Sequence, residues 1–172
     1  MPRPKSDGGG GDASPMDLYR GMKLSDAVNV NGRQQRVLGA RAIPTAQYNT
    51  SYGPVLFERL GFSIVGLQTD ADPAWAQLPM RNGDRPVVVN PANGRLGIIT
   101  GTMMIKFADI HQADKLAGRE NLELLSLDES IGVGYFKAPE NYQLLGAVDR
   151  LRGERDVLRV ELEVVEAFKG VR

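Results

Sequence analysis

The chain has 172 residues, 42% of them hydrophobic, enough to bury one ordinary core or two small ones without metals or disulfides. Lys plus Arg and Asp plus Glu both count 21, so no net field is available to hold nucleic acid or an anionic membrane. The absence of cysteine removes thiol nucleophiles, disulfides and thiolate zinc sites, and leaves the redox compartment open.

The opening stretch MPRPKSDGGGGDASP, residues 1–15, lacks apolar periodicity and is expected to be a disordered tail. Its basic residues precede no apolar h-region, so it does not read as a secretory signal, and either the protein is cytoplasmic or its leader is missing. Nowhere does the chain approach the roughly 18 continuous apolar residues of a spanning helix, and a soluble protein with no membrane partner is expected. The next stretch, MDLYRGMKLSDAVNV, fits either a short helical turn or an irregular segment.

From Arg36 the texture changes to short apolar runs broken by Gly and Pro: RVLGARAIP, FERLGFSIVGLQTD and DADPAWAQLPMRNGDRP. Such runs predict short strands joined by loops, and residues 16–95 are expected to form a small β-rich N-terminal region. In PVVVNPANGRLGIITG, residues 86–101, two β-branched segments flank NPANG, a combination that predicts a hairpin.

The C-terminal part is the most legible. TMMIKF, residues 102–107, alternates so that Met103, Ile105 and Phe107 share one face of a strand. ADIHQADKLAGREN then predicts a short helix with Asp109 as N-cap. LELLSL (122–127) and IGVGYFKA (131–138) flank the turn residues DES and predict an antiparallel pair. The alternation of the second places Gly132 and Gly134 opposite Ile131, Val133 and Tyr135, which predicts a flat patch on the uncovered sheet face.

Leu144, Leu145, Val148 and Leu151 have the spacing of an amphipathic helix ending at Gly153. VLRVELEV closes the series, with Leu158, Val160, Leu162 and Val164 expected on one face and Arg159, Glu161 and Glu163 on the other. The order strand, helix, strand, strand, helix, strand predicts an α+β fold. Residues 96–168 are expected to be a C-terminal ferredoxin-like βαββαβ domain, with an antiparallel sheet and two helices on one face.

No catalytic constellation emerges. His111 is alone and has no convincing Asp or Ser partner, and there is no P-loop, H-E-x-x-H, G-x-S-x-G or EF-hand loop. The GGGG at 8–11 follows no strand, and Asp128–Glu129 sits in a turn where solvated acids are ordinary. The chain is therefore read as a non-enzyme with no cofactor and no metal. An RNA-recognition domain shares the element order, but Tyr135 and Phe136 point to opposite faces and there is no basic surplus, so nucleic acid is not an expected partner.

On TGTMMIKF, IGVGYFKAP and VLRVELEVVEAFKG, the C-terminal part resembles the propeptide of subtilisin-like serine proteases over about residues 99–169. In that family the protease normally follows in the same chain. Here the sequence runs to Arg172, so the resemblance is to free-standing external chaperones and inhibitors, with the segment from Arg36 to Asn93 as an N-terminal addition. The resemblance implies a one-to-one complex with a subtilisin-like serine protease, in the periplasm or outside the cell.

It further implies that the sheet packs on two protease helices while acids of the closing strand cap their N-termini. Helix N-termini present unpaired N–H groups that carboxylates satisfy. Glu161 and Glu163 match the two acidic positions of the family's V-E-x-D/E. The extended tail of residues 166–172, namely Glu166, Ala167, Phe168, Lys169, Gly170, Val171 and Arg172, is then the inhibitory element lying in the protease cleft. Counting from the acidic pair puts Lys169 at the specificity pocket, whereas counting from the end puts Arg172 there. The competing reading is a non-catalytic ferredoxin-like regulatory or dimerisation module whose open sheet face meets a second copy.

Overall fold

The computed structural model describes residues 22–66, 84–140 and 142–166. Nine strands and two α-helices make up the described chain. The strands are β1 (Leu24–Val30), β2 (Arg33–Pro44), β3 (Val55–Arg59), β4 (Phe62–Gly66), β5 (Arg85–Val89), β6 (Leu96–Phe107), β7 (Glu123–Asp128), β8 (Val133–Lys137) and β9 (Val157–Glu166). The helices are α1 (Ala113–Glu120) and α2 (Leu144–Arg152). The expected α+β fold, mostly antiparallel sheet with two helices, is what the chain adopts.

The sheet is larger than the sequence suggested. All nine strands belong to one sheet, in the order β3-β4-β2-β5-β6-β8-β7, with β1 added to β2 and β9 to β6. Two long strands make this possible. One edge of β2 carries β5, and its other edge is shared between β1 near its start and β4 near its end. β6 carries β9 along one edge, while β5 pairs with Leu96 to Ile98 and β8 with Thr102 to Lys106 along the other.

The twelve residues of β6 were expected as two elements, the second arm of the 86–101 hairpin and a separate TMMIKF strand. Gly101 joins them. Its φ of 97° is open to glycine and strained for other residues, and it lets the ladder change neighbours without breaking. The Gly101 carbonyl accepts a hydrogen bond from Ala138 N–H at 2.9 Å, just past the end of β8.

The segment from Leu24 to Val30, left open between a helical turn and an irregular stretch, is a strand. Asn31 and Gly32 close the β1–β2 hairpin with φ of 54° and 83°, the two positive values that a type I′ turn requires. The Asn29 side chain accepts a bond from Gly32 N–H at 2.8 Å. The β5–β6 hairpin stands where NPANG predicted it, with Asn90 Oδ1 accepting from Ala92 N–H at 2.8 Å and the Asn90 carbonyl accepting from Gly94 N–H at 2.7 Å.

Both helices pack on the same face of the sheet. Leu116 of α1 and Leu144, Ala147, Val148 and Leu151 of α2 are buried against Met103, Ile105, Phe136, Val160 and Leu162. Val30, Val37 and Val88 extend this core to the N-terminal strands. Each fully buried Leu, Ile or Phe contributes about 1.5–3 kcal/mol. A second cluster of Leu38, Ala42, Ile64, Val87, Val89 and Ile98 is covered by Leu24, Phe57 and Phe62. Asp109 caps the turn before α1, accepting from His111 N–H at 3.0 Å, and Asn121 ends α1 in the left-handed region.

Two sequence expectations for faces are corrected. Leu158 is 62% exposed instead of facing inward. The ladder runs from Val157↔Phe107 to Arg159↔Lys106, so Leu158 is the extra residue of a bulge and has no place in the alternation. Gly134 lies on the helix-covered face, because a Cβ there would meet the Phe136 ring at 2.8 Å. Its missing side chain makes room for that ring in the core. Gly132 lies outside the strand in the turn, with φ 70°, so no flat glycine patch forms on the open face.

Candidate functional site

The face of β9, β6, β8 and β7 that bears no helix is built from side chains alternating with the core positions. Its register defines three rows across the strands. Arg159, Lys106, Val133 and Asp128 form one; Glu161, Met104, Tyr135 and Ser126 the next; Thr102, Lys137 and Glu123 the third. Met104 and Tyr135 thus stand at the middle of the face, with charges of both signs around them. An apolar centre with a charged rim is the usual anatomy of a protein–protein contact.

The two acids singled out from sequence both lie on the closing strand. Glu161 belongs to the helix-free face and forms an ion pair with Arg159, two residues before it. Glu163 is exposed and falls at a second irregularity, where the pairing steps from Leu162↔Met103 to Val164↔Ile99. Its carboxylate accepts a hydrogen bond from the Thr100 hydroxyl at 2.6 Å. Each carboxylate therefore already has a partner, in solvent-accessible surroundings where such a contact costs little to exchange. Glu166, paired with Gly97 in the ladder, lies 3.8 Å from Arg95. The other tail positions named from sequence, Ala167, Phe168, Lys169, Gly170, Val171 and Arg172, lie outside the described residues.

A third charged group ties the helices together. Arg150 of α2 donates to Glu120 of α1 at 2.5 Å, and the Tyr142 hydroxyl donates to the same carboxylate at 3.3 Å. Burial, then the charge of Glu120, push the Tyr142 hydroxyl up to about 12. This cluster has no nucleophile beside a base, and it reads as a clasp between helices.

Sequence reasoning missed the other end of the sheet. The turn residue Asn31 reaches across to the outer edge of β9, where its side-chain amide meets the backbone of Leu162. Between the β1–β2 hairpin and β9 runs a groove of about 430 Å³ lined by Val30, Asn31, Arg33, Gln35, Leu162 and Val164, with Glu161 and Glu166 also lining it. The signal was present as Asn-Gly at 31–32 between two apolar-bearing segments.

A family model described as "Open reading frame 2 N-terminal domain" matches residues 23–169. The chain belongs to this family. The match spans all of the described strands and helices, so the family pattern covers the N-terminal strands as well as the C-terminal ones. Among solved structures, a chain of the complex between an Aeromonas sobria serine protease and the chaperone ORF2 is similar at 18% identity. That match covers 86% of this chain and 100% of the other, with a TM-score of 0.48. No curated protein matches the sequence.

Proposed function

We propose that the protein is a chaperone that binds a subtilisin-like serine protease one to one, docks through the helix-free face of β9, β6, β8 and β7, and inhibits through residues 166–172. In this reading residues 96–166 act as a ferredoxin-like unit within the larger sheet. Family membership favours a chaperone role, since the chaperone of the solved Aeromonas sobria complex bears the name ORF2 and its partner is a serine protease. The observation that carries the reading is the arrangement on β9. Glu161 and Glu163 follow the apolar centre of the face, and the same strand then delivers the chain at Glu166 to the start of the tail.

The chemistry follows from ordinary forces. Met104 and Tyr135 offer apolar area, while Glu161 and Glu163 exchange Arg159 and Thr100 for the unpaired N–H groups of partner helices. Docking fixes the start of the tail, so residues 167–172 enter the cleft as an added strand held by backbone hydrogen bonds. Proteases of this type work in the periplasm or outside the cell, and there the protein acts as well. It performs no catalysis of its own.

The test is refolding of a denatured serine protease encoded beside this chain, with and without the protein, followed by size-exclusion chromatography. A one-to-one particle and recovered protease fold are expected. A self-associated particle that ignores the protease would instead establish the dimerisation module.

A further inference from the structure

We infer that the groove between the β1–β2 hairpin and the outer edge of β9 is a second binding site, for an extended peptide segment bearing a carboxylate. It shares Glu161 with the docking face but neither Met104 nor Tyr135, and its test does not depend on the protease reading.

Three features point to this occupant. Gln35 is only 4% exposed, yet its side-chain amide has no hydrogen-bond partner among the described residues and lines the groove. Its amide is not sealed in the core but opens on the groove, where a peptide C=O and N–H offer it a matched acceptor and donor. The second feature is the strand edge. β9 pairs only with β6 among the described strands, and the Leu162 N–H and C=O face the other way, into the grip of Asn31. The edge thus already receives a strand-like partner at one residue, and an extended peptide continues that pairing along the groove.

The third feature is charge. The two acids of the groove are compensated, Glu161 by Arg159 and Glu166 by Arg95. Arg33 is exposed and has no ion-pair partner among the described residues. The groove therefore presents one uncompensated cation, whose planar fork suits a carboxylate. Val30, Leu162 and Val164 supply apolar wall between these polar anchors, as alternate side chains of a bound strand require.

The experiment uses the full chain labelled for amide NMR. The probe is a pool of acetylated hexapeptides alternating Val and Thr with a free C-terminal carboxylate, beside the same pool amidated. Saturable shifts are expected at the side-chain amides of Gln35 and Asn31, with the free-carboxylate pool binding about tenfold tighter, the worth of one charge-assisted hydrogen bond. Arg33→Ala, at an exposed position, should erase the difference between pools. Gln35→Met should weaken both pools while leaving the rest of the spectrum in place. The inference is overturned if neither pool shifts the groove amides, if Arg33→Ala keeps the preference, or if sodium acetate alone reproduces the shifts. The last outcome would reduce the site to a simple anion contact at Arg33.

Discussion

The side-chain amide of Asn31 exchanges two hydrogen bonds with the backbone of Leu162, Nδ2 donating to the carbonyl at 2.7 Å and the Leu162 N–H donating to Oδ1 at 2.8 Å. One amide group thereby imitates a neighbouring strand and fastens the tip of the first hairpin to the last strand of the sheet. Without it, the outward backbone groups of Leu162 would sit half-buried and unpaired.

This contact should be measurable. Asn31→Gly keeps the positive φ of the turn and removes only the side chain. Loss of both bonds should lower stability by about 1–3 kcal/mol. Urea unfolding of the two proteins decides it, and equal midpoints would mean that water replaces the amide at no cost.

The acid pair gives a prediction with two readouts. Glu161 and Glu163 make only accessible contacts within the chain, so replacing both by Ala should change folding stability by less than about 1 kcal/mol. If they cap helices of the protease, the complex should weaken by about 1–3 kcal/mol, as for charge-assisted hydrogen bonds. Calorimetric titration against the protease and thermal melting of the free variant separate the two. A loss confined to melting would assign the acids to internal structure.

Much of the fold was legible because it rests on local periodicity. The alternation of Met103, Ile105 and Phe107, the i, i+4, i+7 spacing of Leu144, Val148 and Leu151, and the breaker-rich NPANG each announce an element by the pattern of burial. What was hidden depends on single residues in the ladder. The bulge that expels Leu158, the space that Gly134 leaves for Phe136 and the neighbour change at Gly101 leave no periodic trace. The β1–β2 hairpin did leave one, in Asn31-Gly32, but Leu24 to Val30 alternate weakly because only Val30 is fully buried. For the candidate site, the positions of Glu161 and Glu163 were readable from strand period, while their partners Arg159 and Thr100 and the Asn31 crossing required the tertiary structure.

Alkaline pH should loosen the clasp at Tyr142. Its hydroxyl, raised from 10.0 to about 12 chiefly by burial and then by Glu120, holds its proton in the folded chain where the unfolded chain releases it. Unfolding then releases a proton, so the stability present below pH 10.0 should fall as pH rises toward about 12. Tyr142→Phe has no proton to lose and should show a shallower decline across that window. Parallel stability curves for the two proteins would remove Tyr142 from the alkaline response.

The tail supplies the sharpest test of the proposed mechanism. Glu166 pairs with Gly97 and lies beside Arg95, so it belongs to the sheet and must be kept. Ending the chain after Glu166 removes residues 167–172 and leaves every described strand and helix intact. The shortened protein should therefore melt like the full chain, and it should still form the complex through Met104, Tyr135 and the acid pair. Inhibition of the subtilisin-like protease should nevertheless fall by orders of magnitude, because affinity for the cleft needs the backbone hydrogen bonds of the added strand. Protease refolding, assigned by the proposal to the sheet face, should survive. Parallel assays of active-site titration and refolding yield distinguish these roles. A shortened protein that inhibits as well as the full chain would place inhibition on the sheet face and end the case for an inserted tail.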